Sequence, residues 1–204
     1  MSIRRFVDTN YKHFNARALM QAARAYLHHV ENGGQMFITL AGAMSTAELG
    51  ITLAEMIRRG YVNGISCTGA NIEEDLFNAV ASSQYRLLGN YRDLTPSDEV
   101  ALLQDGMNRV TDTCIPEDTA MRKVDRYISK VWQEASDQGV RRLPHEFFYK
   151  VILMEEFQDE FDIEPKNSWV LAAAQRNLPI FIPGWEDSTL GSARPETDFF
   201  EENR

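Results

Sequence analysis

Three short stretches of the chain set small or polar residues soon after apolar runs. They are Gly42-Ala43-Met44-Ser45-Thr46, Thr68-Gly69-Ala70-Asn71 and Asp187-Ser188-Thr189. In open α/β sheets, ligands bind at the carboxyl ends of the strands, where helix starts offer backbone N–H groups. Small side chains also let the backbone come close to a pyrophosphate, so a dinucleotide is the natural ligand for such a set. Neither of the first two turns is a complete G-x-G-x-x-G, and glycines that only serve tight turns remain an open alternative. Glu73-Glu74-Asp75 follows the second turn. Three acids there either hold an ammonium group or a ribose hydroxyl, or simply offset the positive end of a helix. Asp187 is placed to bind ribose or substrate, or to cap the next helix. Cys67 ends an apolar run with no His beside it in sequence and reads as a small buried hydrophobe. Trp132 and Trp169 read as packing residues, whereas Trp185 lies close to the third stretch.

The elements that must position these residues follow from hydrophobic spacing. Ala16, Leu19, Met20, Ala23, Leu27 and Val30 recur at helical intervals, which predicts a helix over 15–31 that stops at Gly33-Gly34. Met36–Leu40 is a short apolar run read as a buried strand, after which Ser45 or Thr46 is expected to cap a helix ending at Gly60. The same grammar repeats: a strand over 62–67, a small-residue turn, and a helix over 72–81 with the three acids in its first turn. Strand, turn and helix in tandem predict a parallel sheet with crossover helices. The middle is expected to be largely helical. One helix opens at Thr95-Pro96 and runs to about Arg109, a longer one runs from Pro116 to Gln138, and another opens at Leu143-Pro144. A short helix over 167–175 precedes a third strand over 178–182.

Composition narrows the function classes. The 204 residues are 44% hydrophobic and 25% charged, an ordinary globular profile. A net charge of −9 argues against nucleic acid as the main partner and would suit a cationic ligand, although a plain solubility charge is the favoured account of it. Two isolated cysteines, Cys67 and Cys114, point to a reducing compartment, with the cytoplasm as the expected location. The four histidines form no ligand pattern with them, so no metal site is expected. No apolar run nears the ~20 residues of a membrane span, and no membrane partner is expected.

Leu40–Gly50, Ser66–Asp75 and Asn177–Gly191 together resemble deoxyhypusine synthase, and look closest to the bacterial deoxyhypusine-synthase-like branch. Asn90–Leu94 and Asn108–Thr113 fit that branch as well, so the resemblance covers roughly residues 5 to 191. It implies a Rossmann-like α/β fold and an NAD-dependent aminobutyl transfer. In the family, NAD takes a hydride from spermidine, a lysine forms an imine with the butyl fragment, and the fragment passes to an acceptor amine. The acceptor is a lysine of a translation factor, or for bacterial relatives a small amine such as putrescine. By position, the resemblance assigns Gly42, Ala43, Met44, Ser45 and Thr46 to a first NAD loop and Thr68, Gly69 and Ala70 to a second. It assigns Glu73 and Glu74 to the polyamine, Glu74 also to the cofactor, and Asp187 to NAD. It further implies a homo-oligomer, or association with a complete homologue.

Two departures shape the expectation. Ser192 stands where authentic synthases carry an aspartate for the polyamine. The family's glycine-rich strand end, polyamine-binding histidine and imine-forming lysine lie beyond the segment matched here, so no catalytic residue is assigned. The expected organisation is an N-terminal helical segment over 1–34, and the N-terminal part of an NAD-binding α/β domain over 35–191 with a helical insertion at about 95–160. Polar residues 192–204 form a tail expected to be disordered. The chain alone is expected to be inactive, as a fragment, one part of a split enzyme, a partner subunit, or an NAD- or polyamine-binding module.

Overall fold

A polar residue able to cap lies at the start of the first helix. The Ser2 side chain accepts the Arg5 N–H, and α1 runs from Ile3–Asn10. The computed structural model describes residues 2–192; the predicted tail beyond Ser192 lies outside the described residues. The chain divides into two compact units, residues 1–37 and residues 38–204. In the first, α1 is followed by α2 (Phe14–Glu31), close to the predicted span, and Arg24 pairs with Asp8 at 2.8 Å to tie the two together. Neither helix buries a single residue.

The second unit is built around a three-stranded sheet of order β1 (Phe37–Leu40), β2 (Gly64–Cys67), β6 (Ile180–Phe181). β2 and β6 are parallel, with Ile65 opposite Ile180. Helices α3 (Gly50–Arg58) and α4 (Gly69–Ala81) follow β1 and β2. Every residue of α4 except Ala70 is buried, so α4 is the central helix of the unit rather than a half-exposed crossover. Ile72, Leu76, Phe77 and Val80 pack there with Ile57, Phe148, Trp169 and Ile180. Each such aliphatic or aromatic side chain contributes roughly 1.5–3 kcal/mol by leaving water. In α6 (Arg122–Asp137), Val124, Ile128, Val131 and Ala135 are buried at helical spacing. α7 (Pro144–Ile152), α8 (Glu155–Gln158) and α9 (Trp169–Gln175) complete the helical shell, and α10 (Thr189–Ser192) is one turn.

The middle is largely helical as expected, but the structure corrects the helix read from Thr95 to about Arg109. The helix from Thr95 is α5 (Pro96–Gln104), held by a capping box between Thr95 and Asp98, and it ends five residues before Arg109. Gly106 then adopts φ +70°, and the chain turns into a hairpin of β4 (Met107–Val110) and β5 (Thr113–Pro116). Arg109 pairs with Cys114 across the hairpin, and Thr111 takes the positive φ of 55° that its two-residue turn needs. β3 (Arg86–Leu87) adds to β5, giving an antiparallel sheet of order β3-β5-β4. The hairpin escapes sequence reading because its strands carry mixed polar residues with no clean alternation. The helix predicted from Pro116 begins as a π-type turn over Glu117–Met121 before α6.

Candidate ligand site at the strand ends

The second loop is the best defined. β2 ends at Cys67, and Thr68 caps α4 directly by accepting the Asn71 N–H at 3.3 Å. Because α4 starts at Gly69, Glu73, Glu74 and Asp75 fall in its second turn instead of its first, which corrects the prediction. They are 1%, 6% and 3% exposed, a degree of burial that plain dipole compensation does not require.

Each acid makes a separate long-range connection. Glu73 accepts the N–H groups of Thr189 at 2.8 Å and Leu190 at 2.7 Å, and so caps α10 in the third loop. Glu74 accepts the Thr46 N–H at 3.2 Å, in the first loop. Asp75 accepts the Ser168 hydroxyl at 2.6 Å and the N–H groups of Trp169 and Val170, and so caps α9. Among the described residues, no ion pair joins Lys or Arg to any of the three. Burial therefore raises all three carboxyl groups, with backbone hydrogen bonds opposing, and carries Asp75 to about 6. The charge of Glu73 adds to the rise at Glu74. Tyr85 stands near Glu74, Glu48 and Asp75; burial and then their charge push its phenol upward, and among the described residues its hydroxyl finds no hydrogen-bond partner.

The first loop is held by Thr68, Ser45 and a residue to which sequence reasoning gave no role, Asn71. Asn71, fully buried, donates to the Gly42 carbonyl at 2.7 Å and to Thr68 Oγ1 at 2.7 Å, and accepts the Met44 N–H at 3.0 Å. Thr68 Oγ1 donates to the same Gly42 carbonyl at 2.8 Å. Ser45 and Thr46 cap nothing, contrary to expectation: residues 44–49 form turns, and α3 starts only at Gly50. The Ser45 hydroxyl donates instead to the Asn71 carbonyl at 2.5 Å and accepts Trp169 Nε1 at 2.9 Å. Gly42 takes φ +64°, and no heavy atom lies within 4 Å of where its Cβ would stand, so the loop borders open space. Ala43, Met44, Thr46 and Ala70 are half-buried around it.

The third loop closes on the second. Gly184 turns at φ +69°, Trp185–Asp187 form a 3-10 turn, and Asp187 is exposed. The Ser188 hydroxyl accepts the Gly191 N–H at 3.0 Å. Gly69 packs so tightly on Ser188 that an added Cβ would overlap the Ser188 side chain, and a Cβ on Gly191 would overlap the Trp185 carbonyl. Trp185 stacks edge-on against Trp132 and Phe148, a packing role. Cys67 is buried, and burial pushes its thiol up to about 12, in keeping with a packing residue. Among the described residues, no group of His, Cys, Asp and Glu is arranged to hold a metal, and no helix is long and apolar enough to cross a membrane.

The three loops thus meet around the N-terminus of α4, with Thr68, Glu74 and the neighbourhood of Asp187 joined through Gly42, Thr46 and Ser188. The family model described as deoxyhypusine synthase matches residues 7–197. The chain belongs to the deoxyhypusine synthase family. Among curated members it is 28% identical over 178 residues to the protein named "Probable deoxyhypusine synthase 1" of Archaeoglobus fulgidus, covering 87% of this chain and 53% of that one. The "Deoxyhypusine synthase-like protein" of Caulobacter vibrioides is 25% identical over 180 residues, covering 87% and 46%. That of Nostoc sp. is 25% identical over 194 residues, covering 94% and 48%. The chain spans about half the length of the deoxyhypusine synthase relatives it matches.

For the family's cofactor, two features fit. The Gly42 loop faces open space, and α4 presents its N-terminus through the small residues Gly69 and Ala70. Glu73 and Ser45 are already engaged in loop-to-loop hydrogen bonds.

Proposed function

We propose that this chain carries the dinucleotide- and amine-binding elements of an NAD-dependent aminobutyl transferase with a Rossmann-like sheet, acting on a spermidine-like polyamine donor. The observation that supports this most is the hydrogen-bonded convergence of the three strand-end loops on the start of α4. NAD, when bound, would supply hydride acceptance from the carbon bearing the donor amine. Gly42, Ala43, Met44, Ser45, Thr46, Thr68, Gly69 and Ala70 would hold it, together with Glu74 and Asp187. The α4 N-terminus favours negative phosphate charge, and the short side chains let the backbone approach it. Glu74 and Glu73 carry the negative charge for an ammonium group. Of the two, Glu74 commits one oxygen to Thr46 and Glu73 commits both to α10, so Glu74 is the better ligand and Glu73 sets the field and the loop position. The acceptor is an amine, either a protein lysine or a small amine such as putrescine.

Amide chemical-shift mapping tests the reading. NAD should move the amides of residues 42–46 and 68–70, and spermidine those around Glu74, with Glu74→Gln removing the second set. If saturating NAD leaves the amides of both loops unmoved, or moves a different surface, the reading fails.

A further inference from the structure

The negative charge beside Glu74 has a further member, Glu48. It lies two residues past Thr46, whose N–H holds Glu74, and takes a left-handed φ of 60°, uncommon for a residue other than glycine. Its Oε1 accepts Asn78 Nδ2 at 3.2 Å. Asn78 stands one turn after Glu74 on α4, so the two side chains share a face and Glu48 is held beside Glu74. Glu48 is exposed and Glu74 buried, so the pair runs from solvent into the site. Among the described residues, no Lys or Arg forms an ion pair with either.

Tyr85 faces the same two carboxylates. Its ring is half-buried, but its hydroxyl oxygen is enclosed and finds no hydrogen-bond partner among the described residues. A buried hydroxyl without a partner is costly, and beside two carboxylates that lack a cation it points to a ligand that brings donors. The acceptors left over define that ligand. Glu74 spends one oxygen on Thr46 and Glu48 one on Asn78, so each keeps one, and Tyr85 adds its phenol oxygen. Glu73 and Asp75 spend both of theirs on α10 and α9. Three acceptors match the three N–H donors of a primary ammonium, whereas a secondary ammonium has two and a fully alkylated one none. The described carboxylates are not grouped to hold a metal ion.

We infer that Glu48 and Tyr85 join Glu74 in holding a primary ammonium group, and so select an unalkylated amine terminus over an N-alkylated one. The inference rests on the amine-binding reading of Glu74 above and adds the two residues that set its selectivity. A site that hydrogen-bonds every donor of its ligand rejects an analogue lacking those donors, because its acceptors are then left unpaired.

The test is calorimetric titration of the full chain with putrescine and with its N,N,N′,N′-tetramethyl derivative. Wild type should prefer putrescine by about tenfold or more, the scale of a lost hydrogen bond to a charged group. Tyr85→Phe should weaken putrescine by about fivefold and leave the tetramethyl derivative nearly unchanged, narrowing the preference. Glu48→Gln loses a charge and should weaken both ligands, putrescine more. Because the Tyr85 hydroxyl has no partner to lose, Tyr85→Phe should melt at or above the wild-type temperature; a hydroxyl with a structural role would lower it. Wild type that binds neither amine, or Glu74→Gln that binds putrescine as wild type does, would overturn the amine-binding reading and this inference with it. Putrescine binding that Glu74→Gln abolishes, with either Tyr85→Phe or Glu48→Gln keeping the full preference, would overturn this inference alone. So would a Tyr85→Phe variant that melts well below wild type.

Discussion

Replacing Asn71 by Ala isolates the residue that connects the first two loops. The side chain lies at 0% exposure and makes three hydrogen bonds, to the Gly42 carbonyl, to Thr68 Oγ1 and from the Met44 N–H. At about 1 kcal/mol net per neutral hydrogen bond, their loss amounts to about 3 kcal/mol. The groups left behind are not equivalent. The Gly42 carbonyl still accepts from Thr68, whereas the Met44 N–H loses the partner it has here. A stranded donor costs about 1–3 kcal/mol by itself, so a range of about 2–4 kcal/mol is expected. Against the 5–15 kcal/mol typical of a domain, this is a large fraction. In urea, with a slope of about 2–3 kcal/mol/M, the midpoint should fall by about 1 M with the slope unchanged. Hydrogen exchange at the Met44 amide should accelerate more than exchange in α6, because the loop loosens before the core does. Asn71→Asp keeps the acceptor for Met44 but faces an anion toward the Gly42 carbonyl, and it should be no more stable than Asn71→Ala at neutral pH. A loss below about 0.5 kcal/mol for Asn71→Ala, with Met44 exchange unchanged, would refute the claim that Asn71 holds the loop.

Further expectations concern the other two loops and the buried acids. Gly69→Ala places a Cβ into Ser188 and should destabilise by about 1–3 kcal/mol, with Ser188→Gly restoring much of the loss; thermal melting of the single and double variants decides it. The Asp75 carboxyl is raised in the folded state from its ordinary 3.8 to about 6, so the folded protein binds more protons there than the unfolded chain does between those values. That contribution to stability is present below about pH 4 and lost as pH rises through 6, on the order of 3 kcal/mol at 1.36 kcal/mol per unit. Wild-type stability measured relative to D75N should therefore fall between pH 4 and 7, and a rise would contradict the assignment. Cys67 and Cys114 are both buried, with their thiols pushed upward by burial, so native protein should not react quickly with a thiol reagent at pH 8, whereas unfolded protein should.

Several features were legible in the sequence for physical reasons that act locally. Helical spacing gave α2 within a residue, and the two apolar runs before small-residue turns gave β1 and β2, although β1, expected to be buried, alternates exposed and half-buried residues. Pro96 and Pro144 marked true helix starts. The tandem strand-turn-helix pattern predicted a parallel sheet, but that β6 pairs with β2 in parallel, with 112 residues between Cys67 and Ile180, only the structure decided. The hairpin at 107–116 was missed because a pair of mixed polar strands carries no periodic signal, and only Asp105-Gly106 hinted at the break.

Residue types and order picked out the three loops as candidates, and the structure brings them together at the start of α4. Tertiary structure decided what the side chains within them do. A helix that starts at Gly69, capped by Thr68, rather than at Ile72 moved three acids from an expected first turn into the interior, where each caps or holds a distant backbone segment. Ser45, expected to cap a helix, became the bridge between Asn71 and Trp169, 124 residues away. A buried carboxylate or hydroxyl must find a donor or acceptor somewhere, and which one it finds depends on chain segments far apart in sequence.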